Sequence, residues 1–344
     1  MKRHLQIGGG YHRYSEIDFL KGISILAIVI MHYIQNYVIG IPEIVLKASS
    51  FGGAGVHVFM LCSGFGLALA QNAAMDWFAF FKKRFFKIYI PYVIVVIVSA
   101  LIPYMYSGED RLVAVLSHVL LFKMFFEQYE SNFGIQFWFI STIFQLYLIY
   151  PLLVLVKRRY GSKKFFLFCL VLSISWWIIV PATGHSGIRV WDSFFLQYLW
   201  EFALGICLAD YLKQSEEMSV CISNISLLIV GMGCLVVYGI MGYFGGFFKA
   251  FNDPFSLGFI AAISLLLFQI GVLKNFVLKV SEVSYELYLV HMVVAKIVFV
   301  TLGRIATPSL LSGIGVAILV LFLSLLVSKG YSELMKRLSK KLKV

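Results

Sequence analysis

The chain has 344 residues, of which 60% are hydrophobic, 17% aromatic and only 13% charged, and its mean hydropathy is +0.89. A soluble domain carries roughly a quarter charged residues and could not bury this much apolar surface, so the composition indicates a protein that crosses a membrane several times. The net charge of +12 lies in short basic clusters between apolar runs, which argues against a nucleic-acid-binding protein, and five cysteines are too few for a disulfide scaffold.

Ten apolar stretches approach the roughly 20 residues that a helix needs to cross a bilayer. The predicted fold class is therefore all-α, a polytopic bundle of about ten transmembrane helices that forms a single domain over residues 1–344. The predicted spans cover residues 16–38, 52–71, 85–106, 136–156, 164–181, 193–212, 222–241, 255–271, 285–303 and 309–329.

Basic residues mark one side of this bundle. They cluster at 82–87 and 157–164 in two of the loops, and again in the terminal segments 2–13 and 336–343. Because cytoplasmic loops carry an excess of lysine and arginine, both termini are predicted to be cytoplasmic, which requires an even number of spans.

The first span contains three ionisable residues on one face. Lys21 and His32 are eleven residues apart, which places them within about 20° of each other on a helix, and Asp18 lies about 40° from His32. Lys21 lies at the cytoplasmic mouth and His32 about 16 Å away in the outer half, so a ligand that reaches both must be long. The alternative is that Asp18 and Lys21 are interfacial residues and that His32 makes an interhelical hydrogen bond.

The second span, GGAGVHVFMLCSGFGLALA, begins on the outer side and carries His57 and Ser63. His57 lies about one turn below the outer end, at a depth similar to that of His32, so the two imidazoles could meet. The alternative is that His57 only bonds a backbone carbonyl. The small residues of this segment also favour close helix packing, which requires no active site.

The segment KKRFFKIYIPY leads into the third span and is rich in cations. Such a cluster usually determines membrane topology. Arg84 and Lys87, however, are three residues apart and face the same way at a helix start, and with Lys83 they offer the donors that phosphate groups require. The segment is therefore a candidate phosphate-binding site at the cytosolic entrance.

The stretch 112–126 has only 15 residues and contains His118 and Lys123. If it crossed the membrane, the basic 157–164 loop would move to the outer side. We therefore predict a re-entrant or interfacial element on the outer face instead of a further span.

Later spans contain further ionisable residues. Glu201 lies several residues inside the sixth span, where a carboxyl group needs a partner or a role in proton transfer. His291, in the ninth span, is as compatible with packing as with function. The sequence has no HExxH motif and no cysteine pair with zinc spacing, so no bound metal is predicted. The predicted substrate or proton network comprises His57, Glu201, Ser63, Tyr285 and His291.

Six segments resemble, in order, motifs of the acyltransferase-3 family, bacterial membrane enzymes that transfer acyl groups from acyl-coenzyme A to surface glycans and related acceptors. The most specific are EIDFLKGISILAIVIMH, which is similar to the family's pattern of a basic residue followed by ten residues and a histidine, GVHVFMLCSGF and RFFKIYIPY. Weaker matches are FWFISTIFQLYLIYP, WEFALGICLA and SYELYLVH. Together they cover most of the chain.

The resemblance implies a role for several of the residues already singled out. His32 corresponds to the essential catalytic residue, and Lys21 to its partner toward the acyl donor, with Asp18 on the same helical face. The implied coenzyme A site comprises Arg84, Lys87, Lys83 and Lys21.

The chain also departs from the family pattern. Lys21 stands where arginine is commoner, and Lys87 converts an RxxR motif to RxxK, which reduces the scope for bidentate contacts with the donor. His57 replaces a usual acidic residue, and Gln136 a common histidine. The sequence leaves open whether a carboxylate, His57 or Glu201 orients the catalytic histidine.

The resemblance implies an O-acyltransferase of the bacterial cytoplasmic membrane that uses cytosolic acyl-coenzyme A, with acetyl as the leading acyl group and no permanently bound cofactor. The expected acceptor is a hydroxyl group of a cell-surface glycan, a lipid-linked sugar or a small molecule. Membrane lipid is an expected partner and nucleic acid is not. His32 would act as general base, with an acyl-histidine intermediate as a variant.

The alternative class is a glycolipid flippase, an exporter or a proton-coupled transporter that performs no group transfer. Buried histidine, glutamate and lysine would serve such a protein equally well. A purely structural scaffold would leave His32 and Glu201 unexplained.

Overall fold

The computed structural model describes residues 14–38, 41–71, 75–102, 104–106, 108, 110–214, 223–302 and 310–342. Within these residues every regular element is a helix, which confirms the predicted all-α class. The basic flank predicted at 2–13 and the final lysine, Lys343, lie outside the described residues.

The helices follow one another with short connections. Turns of 3-10 helix cover Ser50–Ala54, Phe122–Phe125 and Ile135–Phe137, and a π-helical segment covers Phe85–Tyr89. The α-helices, in chain order, are α1 (Ser15–Tyr37), α2 (Glu43–Ser49), α3 (Gly55–Leu69), α4 (Trp77–Arg84), α5 (Ile90–Leu101), α6 (Arg111–Val119), α7 (Glu127–Glu130), α8 (Trp138–Ala182), α9 (Arg189–Asp192), α10 (Phe195–Gln214), α11 (Asn224–Phe244), α12 (Gly246–Ala250), α13 (Asp253–Leu267), α14 (Gly271–Ser281), α15 (Ser284–Leu302) and α16 (Leu310–Lys341).

Each of the ten predicted spans overlaps one of these helices, and seven helical stretches of the described chain are long and apolar enough to cross a membrane. Two predicted spans fall within α8, which is broken at Gly161, where the backbone has a φ of +77°. Glycine tolerates this left-handed conformation because it has no Cβ. The chain is thus a multi-pass membrane protein, whereas the count of ten spans and the side of the termini stay predictions.

The stretch 112–126 forms short helices. α6 has nine residues, about 14 Å of helix, which is less than half of a hydrocarbon core, and Leu121 then turns the chain with a φ of +59°. Lys123 Nζ lies 3.4 Å from Glu130 Oε2, and both side chains are buried. Burial lowers the pKa of Lys123 to about 8, although the nearby Glu130 carboxylate acts in the opposite direction. The location of this stretch on the outer face stays a prediction.

The contacts of the chain divide it into two compact units. The first unit takes the described residues within 1–24, 54–73 and 142–282. In this unit α3 packs closely against α10. The helices are so close that a methyl group at Gly64 or Gly205 would overlap the backbone of the facing helix. The small residues of the second predicted span therefore allow two backbones to approach, as their sequence indicates.

The second unit takes the described residues within 25–53, 74–141 and 283–344. In this unit α15 packs against α16 and α5. Tyr33 on α1 and Ser324 on α16 are fully buried, and their hydroxyl groups are 2.8 Å apart. This hydrogen bond joins α1 to α16 one residue beyond His32.

Candidate active site

An imidazole pair joins α1 to α15 in the second unit. His32 Nδ1 lies 2.9 Å from His291 Nε2, and the two ring planes are within 9° of parallel. His291 is fully buried, whereas His32 is half-buried. The side chain that holds the predicted catalytic histidine is therefore another histidine.

The other hydrogen bonds of His291 determine which of the two imidazoles donates and which accepts. His291 Nδ1 lies 3.0 Å from the Leu287 carbonyl oxygen and 2.8 Å from that of Tyr288, and a carbonyl oxygen only accepts, so the proton is on Nδ1. In the neutral ring Nε2 is then an acceptor, which requires His32 Nδ1 to donate. A neutral His32 with its proton on Nδ1 carries its basic lone pair on Nε2.

The turn of α15 that carries His291 is fixed by residues at the start of α8 and in the 3-10 turn before it. The Tyr288 hydroxyl donates to the Gln136 carbonyl oxygen, and Gln136 Nε2 donates to that of Leu289 at 3.5 Å. The Phe139 ring packs edge-on against Tyr288, with ring centres 5.3 Å apart. Gln136 is buried, and through these two hydrogen bonds to α15 it helps to position the imidazole pair.

A second buried histidine belongs to the first unit. His57 Nδ1, on α3, lies 2.7 Å from Glu201 Oε1 on α10, and His57 Nε2 lies 3.8 Å from Asp253 Oδ1 at the start of α13. Gln197 Nε2 donates to Asp253 Oδ2 at 2.7 Å. The partner that the carboxyl group of Glu201 requires is thus His57. The three residues offer potential ligand atoms within 4.8 Å of one another, but Glu201 Oε1 lies on the ring edge opposite Nε2, so the three do not meet on one ion.

The remaining candidates of the first unit make local contacts. Lys21 Nζ lies 3.0 Å from Asp18 Oδ1, one turn earlier on α1, which confirms that these two side chains share a face. The Ser63 hydroxyl donates to the Phe59 carbonyl oxygen one turn earlier on α3, at 2.7 Å. Such a bond satisfies the hydroxyl group within its own helix. The predicted roles of Lys21, Asp18 and Ser63 in binding or catalysis stay predictions.

The basic segment of the second unit has an irregular backbone. Arg84 ends α4, is half-buried and lies over the Phe80 ring at 5.5 Å, whereas Lys83 and Lys87 are exposed. Lys87 lies inside the π segment Phe85–Tyr89, where the helix turns more widely than an α-helix. The α-helical register assumed for Arg84 and Lys87 is therefore not kept between them. π segments occur frequently at functional sites.

Tyr285 connects this basic segment to α15. Its hydroxyl group donates to the Ile88 carbonyl oxygen, inside the π segment, at 2.6 Å. The observed contact of Tyr285 is therefore with the backbone beside Lys87, and its place in a substrate or proton network stays a prediction.

Sequence analysis does not single out Asp253 or Gln197, although both belong to the His57 cluster. Asp253 precedes a proline at the start of α13, where an acidic residue is common for reasons of helix capping and dipole alone. The signal that could have identified it is an acidic residue that opens an apolar span. Pairing it with His57 requires the three-dimensional structure.

Comparison with known proteins gives a match over most of the chain. The family model of the acyltransferase-3 family, described as an acyltransferase domain, matches residues 14–329. No curated protein and no solved structure matches the chain. The matched range contains both histidine groups and the basic segment.

Proposed function

The chain belongs to the acyltransferase-3 family, and we propose that it transfers an acyl group, with acetyl as the first candidate, from cytosolic acyl-coenzyme A to a hydroxyl group of a cell-surface glycan or lipid-linked sugar. The proposed location is the bacterial cytoplasmic membrane. The observation that carries the proposal is the hydrogen bond between His32 and His291. It supports a half-buried His32 whose basic lone pair is on Nε2.

The proposed reaction follows from that lone pair. The acceptor hydroxyl gives its proton to His32 Nε2 while its oxygen attacks the thioester carbonyl carbon. The tetrahedral intermediate then expels the coenzyme A sulfur, which takes the proton back from Nε2 and leaves as the free thiol. An imidazole suits both transfers because its ordinary pKa lies near neutrality.

His291 is a positioning residue in this scheme. Its Nδ1 proton is held by two main-chain carbonyls, so its Nε2 continues to accept from His32 Nδ1 throughout the reaction. When His32 becomes an imidazolium, this hydrogen bond becomes charge-assisted and stronger. The arrangement thus favours the transition state over the ground state.

The donor site is proposed at the basic segment. Arg84, Lys83 and Lys87 offer charge and hydrogen-bond donors to the phosphate groups of coenzyme A, and the half-buried Arg84 is the strongest of the three because it is the least solvated. Lys21 is a further proposed donor contact. It would exchange its present bond to Asp18 for a phosphate oxygen.

A second candidate function is proton-coupled transport or glycolipid flipping without group transfer. The observation that favours it is the buried chain of titratable groups formed by His57, Glu201 and Asp253. Intramembrane proton relays use these residue types. A transporter would move its substrate without consuming a thioester. An assay of thioester consumption therefore distinguishes the two functions.

The test uses the full chain in nanodiscs and liposomes. We expect wild type and the control His185→Ala to bind acyl-coenzyme A and to release free thiol in the presence of a glycan acceptor. His32→Ala should bind the donor but release thiol about a thousandfold more slowly. Folded wild type that binds no acyl-coenzyme A while it moves a glycolipid across the liposome membrane would overturn the proposal and establish the transporter.

A further inference from the structure

An open pocket of about 460 Å³ lies in the second unit, and the proposed acyl transfer does not yet use it. Its lining residues come from the end of α1, from the chain between α5 and α6, from the segment 128–134 and from α15. We propose that this pocket binds the part of the acceptor that does not react, and that Lys296 selects an acidic sugar, one that carries a carboxylate. The inference rests on the proposed function, which leaves the class of the acceptor sugar open.

Both helices that carry the imidazole pair continue to the pocket. Tyr37 lies five residues after His32 on α1, and Lys296 lies at the same interval after His291 on α15. Both side chains line the pocket, and five residues span about 7.5 Å of helix. The rings of Tyr37 and Phe299 stack with their centres 4.3 Å apart, so the two helices run on side by side. A sugar in the pocket is therefore within about two helical turns of the catalytic base.

The order of groups along α15 suits a donor and an acceptor that approach the imidazole pair from opposite sides. Tyr285, at the start of α15, contacts the backbone of the basic segment, which is the proposed donor site. His291 follows later on the same helix, and Lys296 lines the pocket beyond it. Because the basic segment is predicted to be cytosolic, the pocket is expected toward the outer side, from which a cell-surface glycan arrives.

The lining of the pocket suits a sugar. Tyr104 and Tyr106 each combine an apolar ring, which can pack on a sugar ring, with a hydroxyl group. Gln128 and Ser131 offer side chains that both donate and accept hydrogen bonds. Small-molecule sites usually measure about 300–1,000 Å³ and combine aromatic walls with a few polar groups, and this pocket has both properties.

Lys296 gives the pocket a positive charge. It is half-buried, and among the described residues that line the pocket it is the one charged side chain. No carboxylate of the described chain forms an ion pair with it. Its ammonium group is therefore available to an anionic ligand, and partial burial makes such a contact stronger than it is on an open surface. An acidic sugar supplies the counter-charge that a neutral sugar lacks.

The wall formed by residues 128–134 is held in shape from outside the pocket. Phe133 has a φ of +61°, which is unfavourable for a bulky residue, and its ring lies 5.4 Å from that of Tyr106. Its side chain is 2% exposed, so close packing maintains this backbone. Glu130, in the same wall, is buried in its ion pair with Lys123. Strain that the surroundings maintain is common at ligand sites, where it keeps the site preorganised.

The test compares two probes, methyl glucuronide and methyl glucoside, which differ in that a carboxylate replaces a hydroxymethyl group. Ligand-observed NMR measures their binding to the full chain in phosphatidylcholine nanodiscs, without an acyl donor. We expect wild type to bind the glucuronide at least about fivefold more tightly than the glucoside. Lys296→Met should remove this preference, and Lys296→Arg should keep it. The matched control is Lys249→Met, which changes an exposed lysine on α12 that does not line the pocket.

Thiol release from acyl-coenzyme A with the same two probes separates this proposal from the proposed function. Glucuronide binding that depends on Lys296, without thiol release in any protein, would support the pocket and contradict acyl transfer. Equal or undetectable binding of the two probes by folded wild type would overturn the pocket proposal whatever the thiol release, and it requires no variant. A loss of phosphatidylglycerol binding in Lys296→Met, with glucuronide binding unchanged, would also overturn it, since Lys296 would then be a lipid contact.

Discussion

The two units each contain a histidine with a defined hydrogen-bond partner, but the partners differ in kind. His32 donates to a second imidazole, and its own ring is half-buried. His57 lies between two carboxylates and is almost fully buried. The first histidine thus has a nitrogen partner and a partly exposed ring, whereas the second has acidic partners and almost no exposure. Under the proposed function, the first histidine takes part in the reaction, and we expect the second to stabilise the fold.

The largest expected effect separates the two histidines. His32→Ala should lower the rate of thiol release about a thousandfold with donor binding retained, because the general base is lost. His57→Gln should chiefly lower the melting temperature and reduce the rate per folded protein far less. Thiol release and thermal unfolding, measured on the same preparations, check both. Equal losses of rate in the two variants would contradict the comparison.

The Lys123–Glu130 pair is a buried ion pair that, like His57, we expect to stabilise the fold and to take no part in the reaction. Lys123→Met should destabilise the protein by about 3–5 kcal/mol, since it leaves the Glu130 carboxylate buried without its counter-ion. The double variant Lys123→Met with Glu130→Leu should recover most of that loss. Thermal unfolding of the three proteins is the measurement. A single variant as stable as the double variant would contradict the cost assigned to a buried Glu130 carboxylate that has lost its counter-ion.

The contact between the imidazoles can be tested with substitutions of His291 that change the size or the hydrogen-bonding capacity of its side chain. His291→Ala should lower kcat about a hundredfold with little change in KM, because His32 loses the acceptor that fixes its tautomer. His291→Gln should restore part of the rate, since an amide oxygen can accept from His32 Nδ1. Steady-state kinetics of both variants check this. A loss that appears only in KM would point to a role in binding.

The stability of the protein should depend on pH through Lys123. Its pKa is about 8 in the folded chain, below the ordinary 10.5, so the unfolded chain binds more protons between these values. Wild type should therefore gain stability relative to the Lys123→Met, Glu130→Leu double variant as the pH rises from 8 to 10.5, by at most about 3 kcal/mol. Melting temperatures across this range provide the check. A flat difference would contradict the lowered pKa.

The smallest effects are expected at the basic segment. Arg84→Gln should raise KM for acyl-coenzyme A severalfold with kcat unchanged, whereas Lys83→Gln should have a smaller effect because an exposed charge contributes about 1 kcal/mol or less. Kinetics at two salt concentrations would compare them. A larger effect for Lys83 would move the phosphate contacts to the exposed side of α4.

The sequence predicted the parts of this molecule that depend on local pattern. Hydropathy located helices at each predicted span, helical spacing placed Lys21 and Asp18 on one face of α1, and small residues indicated the close approach at Gly64. These features depend on neighbours along one helix or on residue size. They need no knowledge of which helices meet.

The contacts that define the two histidine groups could not be predicted in this way. His32 and His291 are 259 residues apart, and nothing in the sequence of either segment indicates that the two side chains meet. Asp253 resembles an ordinary helix-capping residue until α13 is placed beside His57. The π segment at Phe85–Tyr89 changes a helical register that the sequence presents as regular.

The most direct test of the central claim is the protonation state of His32 itself. Nitrogen-15 NMR of the histidine-labelled full chain in nanodiscs, with His32→Ala to assign the signals, reports which ring nitrogen carries the proton. The account predicts a neutral His32 protonated on Nδ1, and a shift of the proton toward Nε2 in His291→Ala. A wild-type His32 protonated on Nε2 could not accept the hydroxyl proton there, and would contradict the proposed general base.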